Sequence, residues 1–213
     1  MVLLCCYLQE STFCQPRIHS VWPVLVNILL PDIVSQDMDS ASTLNSAKKH
    51  KKGRKGSSAE DDIEKNLRCF CEVIIEGSLL TSSHDRKHLA FDILLLLFPK
   101  LPSSCVQAVL SYKLIQCLVD ILSTKDSWLY KVAQFFLKEL SRLVKNDDGK
   151  RVEVIVALQK HSNGKFDCIT QTKTVKVLMS DFKSESGCLL FVQELVNMFL
   201  DEGHASDEPS DQS

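Results

Sequence analysis

The chain has 213 residues, 25 Lys and Arg against 27 Asp and Glu, a formal net charge of −2 and 45% hydrophobic side chains. That length holds one sizeable core or a short array of stacked repeats. The near-neutral balance excludes a general polyanion binder acting through its overall field, so any nucleic-acid contact must come from a local patch.

The opening run, Met1 to Leu8, is apolar but lacks a basic region before it and a small-residue cleavage site after it. It reads as the ragged end of a helix and not as a signal peptide, so we expect this chain to be a slice of a longer polypeptide. No apolar run reaches the roughly 20 residues of a membrane span, Ile93 to Phe98 being the longest later one. Nine cysteines (Cys5, Cys6, Cys14, Cys69, Cys71, Cys105, Cys117, Cys168 and Cys188) lack C-x-x-C spacing, which points to a reducing compartment and to small core residues.

From His19 to Leu30, Val21, Trp22, Leu25, Ile28 and Leu29 form a helical stripe, with Pro31 as the stop. Periodicity then vanishes between Asp32 and Ser58, where Ser, Asp, Lys and Gly dominate; this segment is expected to be a disordered linker. Its centre, Lys48, Lys49, Lys51, Lys52, Arg54 and Lys55, is the one strong charge block. Nuclear or nucleolar targeting, sequence-blind contact with RNA or DNA phosphates, and a merely solvated linker are its three readings.

Helical spacing returns with Ser57 as N-cap and Ile63, Leu67, Phe70, Cys71 and Ile74 inward, ending near Gly77. A second helix runs from His84 to Pro99 and is apolar nearly all round in its last turns, so it must be covered on several sides. Ser103 and Ser104 cap a region that reaches Ser123 with a break near Ser111. Asp126 caps a long helix bearing Leu129, Val132, Ala133, Phe136, Leu140, Leu143 and Val144, and Asn146 to Gly149 read as a turn. Val152, Ile155, Val156 and Leu158 form a further face, Gly164 to Lys176 a connector, and Cys188 to Leu200 a last amphipathic helix. Trp22, Phe91, Phe136, Leu140 and Phe199 are the expected core aromatics and leucine. Helix starts recur at the spacing of HEAT and armadillo units, so the fold class is all-α, a HEAT/armadillo-like helical repeat (α-solenoid). Its parts are an N-terminal helical segment (1–31), the basic linker (32–58), the repeat domain (59–200) and an acidic tail (201–213) expected to be disordered.

Three constellations invite chemistry. His84 and His88 have the one-face i, i+4 spacing of zinc hydrolases, but the acid between them is Asp85 and no third ligand follows. The Asp61-Asp62 and Asp147-Asp148 pairs sit in a helix's first turn and in a turn, without the strand ends that two-metal nucleotidyl transfer uses. In the connector, Phe166 reads as a buried anchor, Thr170, Thr172 and Thr174 as capping hydroxyls, and only Asp167 could serve as a base. These residues indicate no catalytic site, no cofactor, no metal and no small-molecule substrate.

The Gly164-to-Val175 pattern, with His19 to Val26, the helix from His84 to Phe98 and the repeat from Leu118 to Trp128, resembles a nucleolar family. It is variously called the fifth DNA polymerase, DNA polymerase phi or Myb-binding protein 1A, and the likeness is greatest to plant members. The resemblance implies a nucleolar scaffold associated with ribosomal RNA synthesis and ribosome biogenesis. As partners it implies transcription factors and nucleolar assembly factors, with non-specific DNA or RNA contact as the alternative. It brings no catalytic residues to any position here, despite the polymerase name.

Overall fold

The computed structural model describes residues 18–30 and 59–204. Among them the secondary structure is helical throughout: α1 Val21–Leu29, α2 Ala59–Phe70, α3 His84–Leu97, α4 Val106–Val109, α5 Tyr112–Ser123, α6 Trp128–Leu143, α7 Asp148–Lys160, α8 Phe166–Thr170, α9 Thr174–Ser180 and α10 Glu185–His204. A π-helical stretch, Cys71–Leu79, continues α2, and 3₁₀ turns at Phe98–Lys100 and Ser103–Cys105 flank the entry into α4. The 32–58 linker with its six basic residues, the proposed Ser57 cap, the side chain of Phe199 and the tail after His204 lie outside the described residues.

Contacts between helices run in three rows. α2 packs on α4, α4 on α7 and α7 on α10; α3 packs on α6 and α6 on α9; α5 packs on α8. Members of a row are separated by roughly 45 residues for most steps, the spacing at which successive units of a helical array meet. One continuous core results, with Phe91, Leu94, Leu97, Val106, Leu114, Phe136, Leu140, Ile155 and Phe166 fully buried. The Phe91 and Phe136 rings join α3 to α6 with centroids 5.0 Å apart.

Local chemistry sets the helix boundaries. The Ser111 and Ser127 hydroxyls accept from Leu114 N and Leu129 N, so α5 and α6 each begin on a serine cap. The cap of α6 is therefore Ser127 and not Asp126. Asp147 accepts from Lys150 N at 2.9 Å, so of the residues read as a turn Asn146 is in one, while Asp147 caps α7 and Asp148 and Gly149 begin it. The helix begun by α2 continues past Gly77, because the π-helical stretch carries the backbone to Leu79.

Several expected faces shift. In α1 the buried residue is Val26, followed by Leu30, while Val21 and Ile28 are exposed and Trp22 is half-buried. Cys71 and Cys105 are buried as anticipated, but Cys69, Cys168 and Cys188 are exposed, because alternate helix faces separate Cys69 from Cys71 and the connector and α10 turn outward. The last helix buries only part of its apolar face: Leu189, Val192 and Leu200 are all more than half exposed.

Arg151, wholly buried, holds the rows together at one end. Its guanidinium donates to the Asp148 carboxylate, to the Lys145 and Val144 carbonyls that end α6, and to the Asp181 carbonyl that follows α9. Two helix C-termini, each carrying partial negative charge, thus converge on one cation. The guanidinium also lies 5.2 Å from the Phe182 ring, which packs against Phe191 of α10. Gly187 permits that approach, since a Cβ there would come within 2.5 Å of Asp148 Oδ2.

Candidate functional site

The connector folds as two short helices, α8 and α9, joined by Gln171 in a left-handed conformation at φ 55°. Gly164 enters the connector at φ 72°, where a residue without Cβ is unstrained. Phe166 is fully buried, as its anchor reading requires. Asp167 accepts from Val175 N at 3.1 Å, from Lys176 N at 3.0 Å and from Thr172 Oγ1 at 3.1 Å, so its carboxylate caps the start of α9. Thr170 donates back to the Phe166 carbonyl at 2.7 Å and meets Thr172 Oγ1 at 2.9 Å, and Thr174 donates to Thr172 at 3.2 Å. The hydroxyls and the one carboxylate are spent on the backbone and on each other, which leaves no free base beside a nucleophile.

Two open grooves flank this connector. One, of about 570 Å³, runs along Lys165, Cys168, Val175, Lys176 and Met179. The other, of about 360 Å³, lies between α6 and α9 and is lined by Leu137, Lys138, Ser141, Lys173 and Val177. Met179 and Val177 expose 43% and 45% of their surface, so the groove walls present apolar side chains to solvent between lysines. Sequence periodicity assigns these residues to helix faces but not to a common groove, because Lys138 is brought to Lys173 only by the packing of α6 on α9. The cluster of lysines around the connector was the one available signal.

The histidine pair packs on an aromatic ring. His84 and His88 stand edge-on to Trp128 with centroids 6.2 and 5.7 Å away, and His88 Nε2 is 3.7 Å from Asp92 Oδ2. Burial lowers the His88 pKa and lifts that of the nearly buried Asp92 carboxyl to about 7. Among the described residues no group of three His, Cys, Asp or Glu side chains could hold a metal ion. Asp61 and Asp62 begin α2, while Asp147 caps α7 and Asp148 pairs with Arg151; the two acidic pairs do not converge. The Ser184 hydroxyl, followed by the Arg151 charge, holds Asp148 below the usual carboxylate range. The six basic linker residues, Lys48, Lys49, Lys51, Lys52, Arg54 and Lys55, lie outside the described residues.

Comparison with known proteins follows the same geometry. Residues 3–213 match the family described as DNA polymerase phi. The rDNA transcriptional regulator POL5 of Saccharomyces cerevisiae is 24% identical over 177 residues, covering 81% of this chain and 16% of that protein. The rDNA transcriptional regulator pol5 of Schizosaccharomyces pombe is 26% identical over 131 residues, covering 60% of this chain and 14% of that protein. This chain therefore spans about one-sixth or less of the length of these curated relatives. No solved structure matches it.

Proposed function

Because the chain belongs to the DNA polymerase phi family, we propose that it acts as a non-enzymatic scaffold in the regulation of rDNA transcription. The observation that carries this reading is the three-row packing, in which α2, α4, α7 and α10 succeed one another while α3, α6 and α9 run beside them. That succession supports reading the fold as a HEAT/armadillo-like α-solenoid, whose extended surfaces suit protein partners better than an enclosed reaction centre. The two relatives' names as rDNA transcriptional regulators support the process.

The scaffold works in the nucleus and within it the nucleolus, where rDNA is transcribed, and it extends to ribosome biogenesis. Its partners are transcription factors and nucleolar assembly factors. Lys48, Lys49, Lys51, Lys52, Arg54 and Lys55 supply the targeting signal, because short Lys/Arg blocks in polar segments are what import receptors read.

A second reading rests on the same six residues: direct, sequence-blind binding to DNA or RNA phosphates. Affinity purification from nuclear extract, with and without nuclease, separates the two. The scaffold reading predicts that transcription and nucleolar proteins remain bound after complete nucleic-acid digestion. Their loss on digestion, with the purified chain binding RNA in a strongly salt-dependent manner, would instead favour the second reading.

A further inference from the structure

We propose that the paired grooves beside α9 bind an acidic peptide segment carrying apolar anchors. This inference rests on the scaffold reading and names the partner chemistry of one of its surfaces. Lys165 and Lys176 rim the first groove and Lys138 and Lys173 the second, all four exposed. None of the four side-chain ammonium groups makes an ion pair or hydrogen bond within the described residues. The acidic side chain in the first groove, Asp167, is already occupied by two backbone N–H groups and the Thr172 hydroxyl. The local field is therefore positive, although the chain as a whole is not.

Between the lysines lie exposed Met179 and Val177. A phosphodiester backbone gains nothing from such side chains, and the grooves carry no aromatic ring on which a base could stack. A peptide that alternates Asp or Glu with Leu or Phe uses both features, its carboxylates meeting the lysines and its apolar anchors the methionine and valine. Methionine suits that role because its flexible thioether adapts to different anchors.

The probe is a fluorescein-labelled 18-residue peptide with Glu on one helical face and Leu and Phe on the other, titrated with the full chain and read by fluorescence anisotropy. Three competitors accompany it: the same peptide with its apolar residues changed to Gln, an apolar peptide with Glu changed to Gln, and a 20-base-pair DNA duplex. The acidic amphipathic peptide is expected to bind at least about tenfold more tightly than each competitor, a difference of about 1.4 kcal/mol. The K138E/K165E/K173E/K176E variant should weaken that binding at least about tenfold, and Met179→Ser about threefold, with unchanged circular dichroism and melting temperature. Equal binding of the duplex or the all-acidic peptide, or undiminished binding by the quadruple variant, would overturn the proposal. If the variant kept its nuclease-resistant nuclear partners while the probe failed to bind, the groove proposal would fall and the scaffold reading would stand.

Discussion

Replacing Arg151 by alanine tests the contact at which two helix C-termini converge. The guanidinium is fully buried and donates to the Asp148 carboxylate and to three carbonyls, those of Val144, Lys145 and Asp181. Alanine removes the cation that two helix C-termini share and takes the guanidinium donor from the Lys145 and Asp181 carbonyls, while the Val144 carbonyl keeps Asp147 N as a donor. Asp148 keeps the Ser184 hydroxyl and is reached by solvent, so the cost falls on the Lys145 and Asp181 carbonyls. Each of these two carbonyls left unsatisfied costs about 1–3 kcal/mol. We expect a loss of about 4 kcal/mol, which for a chain of this size lowers the melting temperature by roughly 8–16 °C. Lysine keeps the charge but not the planar fork, and should lose about half as much. Urea unfolding followed by circular dichroism gives the totals, and hydrogen exchange should show protection lost first at residues 144–151 and 181–187. A loss under about 1 kcal/mol for Arg151→Ala would refute the argument that this cation binds the helix rows together.

Four further outcomes are expected, three from the packing and one from the basic segment. Phe136→Ala should cost about 3–5 kcal/mol, since the ring is fully buried against Phe91, and a loss near zero by urea titration would show that the α3–α6 contact is misplaced. The Asp92 pKa of about 7 lies above its unfolded value, so the folded chain holds the proton more tightly and stability should fall as pH rises from about 4 to 7. His88, lowered by burial, opposes this over a narrower window below its usual value, and Asp92→Asn should flatten the net decline in stability measured by thermal melts across pH. Cys71, whose thiol burial pushes to about 12, should resist iodoacetamide while Cys69, one turn face away, is alkylated; equal rates by mass spectrometry would refute the register of α2. Changing Lys48, Lys49, Lys51, Lys52, Arg54 and Lys55 to Gln should leave the melting temperature nearly unchanged and move a fluorescent fusion from nucleus to cytoplasm, and continued nucleolar accumulation would place targeting elsewhere.

Helix positions were legible because apolar residues recur at 3.6-residue spacing and serines, prolines and glycines punctuate them. The break at Ser111 and the buried anchor Phe166 follow from that pattern. Adjacent residues with equal capping ability defeat it, which is why Ser127 and not Asp126 starts α6. Apolar patterning also assigns every charge to solvent, so it could not place Arg151 or Asp92 inside; carbonyls at two helix ends receive the Arg151 guanidinium, and His88 one turn earlier on the same helix stands beside Asp92. Half of the candidate site was legible: the connector announced itself by composition, and its hydroxyls do bond the backbone. The grooves did not, because they depend on α6 and α9 meeting across a separation of some 35 residues, which no local period encodes.

The central claim, a scaffold serving rDNA transcription, is tested most directly by chromatin immunoprecipitation of the tagged protein in its own cells, quantified across the rDNA repeat and at unrelated genes. The account predicts enrichment over the transcribed rDNA that persists when the six linker cations are replaced and nuclear entry is restored by a heterologous signal. Occupancy no greater at rDNA than at unrelated genes would contradict it.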